Sequence, residues 1–164
     1  MREKGRELDF EIEHINRKNT NIILTCEVSD EEQFKAAVKN NIKRIYAPND
    51  LVGTLKDAPD DVEIISKSAD IFCEENIKTD GVLVSSPAAI YKYQDKEIYG
   101  DFRLNVFNSQ TAQHYGDLKT VTLSPELNLH EIADLCENTN ADLEVIGYGH
   151  IPLMMMKNCP IKAM

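Results

Sequence analysis

At 164 residues the chain has the size of one domain and enough mass to bury its own core. Its formal charge of −10, from 28 acidic against 18 basic residues, argues against generic nucleic-acid binding, which needs a Lys/Arg surface to displace counterions. No apolar run nears the ~20 residues of a membrane-spanning helix, so no membrane partner is expected. The charged start from Met1 to Glu7 lacks the apolar core of a secretory signal, which points to the cytoplasm by default.

Residues 1–20 are charged and broken by Gly5 and Asn19; they read as an N-terminal arm, with Leu8, Ile12 and Ile15 at helical spacing. Residues 21–164 read as a single domain. Positions 22–28 form a nearly continuous apolar strand, and Ser29 with Glu32 three residues later reads as a capping box. Phe34, Ala37 and Val38 give the following helix an apolar face. A second strand covers 44–47 and stops at Pro48, with one helical turn expected from Val52 to Leu55. A third covers 62–65. The segment from Ala69 to Ile77 is short for a crossover helix. A fourth strand spans 81–84, and Pro87 suits the first turn of a helix through Ile90 and Tyr91.

The fifth strand is expected at 103–107, with its helix from Ser109 to Tyr115, and the sixth at 119–123. Asn128 with Glu131 opens a helix that places Ile132, Leu135 and Cys136 on one face. That helix ends near Asn138, and a seventh strand follows at 143–148. Continuous apolar strands alternating with helices specify an α/β fold with a parallel sheet. A complete eight-fold barrel typically takes about 200–250 residues. The reading is therefore a compact or incomplete (β/α) barrel, with an open doubly wound parallel sheet as the alternative.

In such a sheet the polar residues after each strand gather at one edge, where α/β sites are built. Here they include Asn105, Asn108, Ser124, Glu126, Tyr148 and His150. Asn105 lies within the expected strand, so its amide would face the interior; Asn108 can either orient a substrate carbonyl or cap the next helix. Glu126, at a strand end, suits a general base, or is a solvated acid. Tyr148 can donate a hydrogen bond and His150 can titrate near neutrality; the other reading is a packed tyrosine and a surface histidine. Glu144 begins its strand and is not expected to reach that edge. Cys26, Cys73, Cys136 and Cys159 are widely separated, with no zinc-type spacing, and read as free thiols. No phosphate loop, nucleophile elbow or H-E-x-x-H is present.

Three blocks carry a resemblance. They are Leu104-Asn105-Val106-Phe107-Asn108-Ser109, then Ser124-Pro125-Glu126-Leu127, then the run from Glu144 through Tyr148-Gly149-His150 to Pro152-Leu153-Met154, followed by Cys159-Pro160. In this order they resemble the collagenase-like peptidases of unassigned catalytic type, peptidase family U-32. The resemblance covers the last third strongly and the middle weakly. It implies a barrel that cleaves peptide bonds in a peptide or protein substrate. It also implies catalytic roles for Glu126, Tyr148, His150 and Cys159, and substrate contacts from Asn105, Asn108 and Ser124. Many members carry His-Gly where this chain has Tyr148-Gly149, and Arg is common at the position of His150. In several relatives the cysteine matching Cys159 belongs to a four-cysteine set consistent with an iron–sulfur cluster. The other cysteines do not fall at that spacing, so no cofactor is expected. Two alternatives stand beside the peptidase: a relative of the hydroxylation-linked members without the cluster, or a non-catalytic half-barrel module of a larger protein. An incomplete barrel also calls for a second subunit or another domain over a sheet edge.

Overall fold

A computed structural model of the protein describes residues 22–55, 58–68 and 76–152. Seven strands form one sheet: β1 (Thr25–Glu27), β2 (Arg44–Pro48), β3 (Glu63–Lys67), β4 (Gly81–Val84), β5 (Glu97–Gly100), β6 (Thr120–Thr122) and β7 (Leu143–Glu144). Every adjacent pair is parallel and the strand order is the chain order. A doubly wound sheet would reverse its order at a switch point; this one never does. The sheet curls into an incomplete barrel, far enough that a side chain of β1 is hydrogen-bonded to one of β7.

Helices α1 (Glu31–Lys39), α2 (Asn49–Val52), α3 (Pro87–Lys92), α4 (Ser109–His114) and α5 (Leu129–Glu137) lie between strands. Their starts follow from side chains that satisfy otherwise orphaned amides. Ser86 caps α3, with Pro87 at its first position, and Asn128 and Glu131 close a complete capping box on α5. On α1 the cap is Asp30, which accepts from the amide of Gln33, one residue later than expected from Ser29. Gln33 instead returns its side chain to the amide of Ser29.

Alternation along the strands divides the residues between two faces. One face packs against helices: Ile45 and Ala47 with Phe34 and Ala37 of α1, Val82, Val84 and Ile98 with Tyr93, and Val121 and Leu123 with Ala112 and Leu135. The other face turns inward and holds Tyr46, Ile65, Leu83 and Tyr99. Each fully buried aliphatic residue of this kind contributes about 1.5–3 kcal/mol.

The largest departure from the sequence reading is around residue 100. The fifth strand is Glu97–Gly100, not 103–107. Residues Phe102–Leu104 instead make a 3₁₀ turn, and Asn105 is left-handed at φ 59°. Leu104 and Val106 are both buried, an alternation that imitates a strand, but the kink at Asn105 sets them there. Asn is one of the few residues that enter this region readily. Only Val106 pairs, through a single parallel bridge to Leu123. The seventh strand stops at Glu144 rather than Tyr148. Residues 1–21, most of 69–77 and 153–164 lie outside the described residues, so the N-terminal arm and the short crossover are not placed.

Candidate functional site

The carboxyl edge is built by the segments that follow β5, β6 and β7. The bridge from Val106 to Leu123, with the Ser124 amide donating to the Val106 carbonyl at 3.1 Å, brings the Asn105–Asn108 segment beside the β6–α5 connection. Ser124 is buried, and its hydroxyl accepts weakly from the Glu126 amide at 3.4 Å. Glu126 itself is exposed. Ser124 and Pro125 form one wall of a recess of about 650 Å³. Leu127, Leu129, His130 and Ile132 line it from the α5 side, and Val145 and Ile146 from the end of β7.

Asn105, Asn108, Tyr148 and His150 are not among the residues that line this recess. Asn105 is exposed in its left-handed turn, not pointing into the barrel from a strand. Asn108 caps α4, its side-chain oxygen accepting from the Thr111 amide at 2.8 Å; this is the capping alternative for that residue. Tyr148 is fully exposed and His150 is exposed, both beyond the end of β7. Cys159 lies outside the described residues. The fold thus gathers Asn105, Asn108, Ser124 and Glu126 on neighbouring segments of one edge, and leaves Tyr148 and His150 on the outgoing chain.

A second polar region, which the sequence reading did not single out, occupies the barrel interior. Tyr99 of β5 donates its hydroxyl to Glu63 of β3, and Arg44 of β2 donates to the other oxygen of Glu63 at 2.7 Å while lying over the Tyr99 ring. Burial opposes ionisation of Glu63, but the hydrogen bonds from Tyr99 and Arg44 and the guanidinium charge outweigh it and lower its pKa. Burial, and then the Glu63 carboxylate, push the Tyr99 phenol far above its ordinary range. Tyr46 is raised for the same first reason and next by the charge of Glu144. Glu144, on the last strand, accepts from Thr25, from Tyr46 at 2.9 Å and from Thr122 at 3.2 Å. Nearer the carboxyl ends, Lys67 pairs with Glu27 and Arg103 with the buried Asp101.

The signal for this interior set was present in the strands. Arg44 and Tyr46, Glu63, Tyr99, Thr120 and Thr122, and Glu144 share the inward phase of their strands by register. Polar residues repeating at that phase mark a hydrogen-bonded interior. The sequence reading drew its candidates from the carboxyl edge, with Asn105 the one placed inside an expected strand.

The cluster found in several relatives needs about four thiolate ligands. Cys26 lies on β1 against the α1-side core, and Cys136 lies on α5. They belong to different parts of the structure. Among the described residues no three His, Cys, Asp or Glu side chains could hold a metal ion. The described residues do not fit the group. Nor, among them, is any helix long and apolar enough to cross a membrane.

The family model described as Peptidase family U32 matches residues 29–164. No curated protein and no solved structure matches the chain.

Proposed function

Since the chain belongs to peptidase family U32, we propose that it acts on peptide bonds at the carboxyl edge of the open barrel. The observation that carries this reading is the recess beside Ser124, which opens next to the loop bearing Glu126. Its mainly aliphatic lining, with a few polar groups, is the composition of a small-molecule or side-chain pocket. In this proposal a substrate side chain enters the recess, and Asn105, Asn108 and Ser124 orient the peptide backbone. Glu126 takes a proton from the attacking water and returns it to the departing amine. Tyr148 and His150 supply hydrogen bonds to the carbonyl, and Cys159 is the thiol to be tested beside them. A cytoplasmic setting, in keeping with the scattered thiols, belongs to the same proposal.

The test is cleavage of a mixed library of internally quenched peptides by the full chain. Glu126→Gln should abolish cleavage while leaving the denaturation midpoint unchanged. Undiminished cleavage by that variant would remove Glu126 from the reaction.

A second reading rests on a different observation. Among the described residues β1 and β7 each pair with one neighbour, so both edges of the described sheet present backbone groups without a ladder partner, a template for another chain. On this reading the domain is a half-barrel that binds a second copy or another domain along those edges. Absence of cleavage together with concentration-dependent assembly, measured by analytical ultracentrifugation, would favour it over the peptidase.

A further inference from the structure

We infer that Glu144 is the clasp that holds the first and last strands of the open barrel together. β1 has three residues and β7 two, and among the described residues each has a backbone ladder on one side. Ladders this short do little to fix the curvature of a sheet. The Glu144 carboxylate spans the interior. One oxygen accepts from Thr25 on β1; the other accepts from Tyr46 on β2 and Thr122 on β6. One side chain thereby joins four strands, and both its oxygens are engaged. Tyr46 is buried and packs edge-to-face on Tyr99, with ring centroids 6.1 Å apart, so its hydroxyl is held where the carboxylate needs it. Hydrogen bonds to a charged acceptor are the stronger kind, and removing the acceptor leaves the buried Tyr46 without its charged partner.

Releasing the clasp frees β1 first. Behind it, β1 keeps the contact of Cys26 and Val28 with the α1-side core, its ladder to β2 and the ion pair of Glu27 with Lys67 on β3. β7 keeps its ladder to β6 and the packing of Leu143 against the α5-side core. Opening at this seam would move the two sheet edges apart, so Glu144 sets how far the sheet curls. This role is independent of any chemistry at the carboxyl edge.

Cys26 provides a reporter, because its thiol sits half-buried on β1, and burial and Glu27 raise its pKa and slow alkylation of the closed form. Cys136, half-buried on α5, is the internal control. The full chain is pulsed with iodoacetamide under native conditions and each thiol is read by peptide mass spectrometry. Glu144→Ala should label Cys26 about tenfold faster at unchanged Cys136. Glu144→Gln, which keeps a single acceptor oxygen, should fall between it and the wild type. Equal acceleration of both thiols, or of neither, would overturn the clasp. If Glu144→Ala does not fold, Tyr46→Phe and Thr25→Val decide the matter. Each removes one donor, and each should lower hydrogen-exchange protection in residues 25–28 and leave residues 81–84 unchanged. Uniform loss of protection, or none, would refute the inference.

Discussion

Two tyrosines, Tyr99 and Tyr148, mark the extremes of this molecule. Tyr99 is 1% exposed, donates to Glu63, lies under Arg44 and packs against Tyr46. Tyr148 is 100% exposed, beyond the end of β7. The first belongs to an interior where the tyrosine rings are removed from water and their hydroxyls are paired with carboxylates. The second belongs to an edge whose residues, the buried Ser124 apart, are exposed or engaged in helix caps. The lesson is a division of labour. The inward phase of the strands determines the shape of the barrel, and the carboxyl edge is left to vary at little cost in stability, as expected of the loops that carry function in α/β barrels.

The sharpest way to break the comparison is to empty the interior position. Tyr99→Ala should cost about 3–5 kcal/mol, because it removes a large buried ring together with its hydrogen bond to Glu63 and the face under Arg44. Measured by urea denaturation, this is a large part of the ~5–15 kcal/mol that a domain commonly has. Gly100, next along the same strand, probes the opposite, helix-packed face. A methyl group there would stand 2.8 Å from Leu104 Cδ1 and 3.3 Å from Leu118 Cδ1. Gly100→Ala should therefore lower stability by about 1–3 kcal/mol through overpacking. A neutral outcome in Tyr99→Ala would mean that the interior is softer than its hydrogen bonds imply, and one in Gly100→Ala that the helix-packed face yields without cost.

Glu63 sharpens the comparison through pH. Its folded pKa lies below its ordinary value of 4.5, held there by Tyr99 and Arg44. A depressed carboxylate contributes stability above its unfolded pKa, and loses that contribution as pH falls through the folded one, because the unfolded chain takes up the proton first. Urea midpoints recorded from pH 7 downward should thus fall more for wild type than for Glu63→Gln once the pH drops below about 4.5. With the Glu63 side chain 41% exposed, solvent screening limits the difference to about 1 kcal/mol or less. Identical pH profiles would deny Glu63 its interior role.

Next in size are the helix caps at the edge. Asn128→Ala opens the capping box of α5 and should cost about 1 kcal/mol, within the usual 0.5–2 range. Asn108→Ala removes the acceptor of the Thr111 amide on a shorter helix and should cost a similar or smaller amount. Both are readable as shifts in denaturation midpoint.

What could be read from the sequence follows the same line between regions. The parallel (β/α) character, the incomplete barrel and the family were legible, because apolar strand runs and the Asn128–Glu131 and Ser86–Pro87 helix starts are local signals. The strand at Glu97–Gly100 was not legible. Its four residues are outweighed by the longer Arg103–Phe107 word, and only the left-handed backbone at Asn105 shows that the second word cannot extend. Glu144 was set aside for standing at the start of its strand. Its partners Thr25 and Tyr46 lie 119 and 98 residues away, and only the curl of the sheet brings them together. A contact of that kind follows from closure and leaves no mark in a local window.

The smallest expected effect falls on Tyr148. With no side-chain burial to lose, Tyr148→Ala should leave the denaturation midpoint within about 0.5 kcal/mol of wild type, the ordinary range for exposed positions. That neutrality gives the variant its value, since any change in function cannot then be charged to the fold. If the edge acts on peptides as proposed, cleavage should drop in Tyr148→Ala and in Tyr148→Phe alike, because both lack the hydroxyl that would hydrogen-bond the carbonyl. A loss of about tenfold or more in kcat/KM corresponds to one hydrogen bond made in the transition state. Recovery of full activity in Tyr148→Phe would assign the residue to contact area instead of hydrogen bonding. A stability loss above 1 kcal/mol in Tyr148→Ala would show that the tyrosine is buried in solution, and the contrast with Tyr99 would then fail at its outer end.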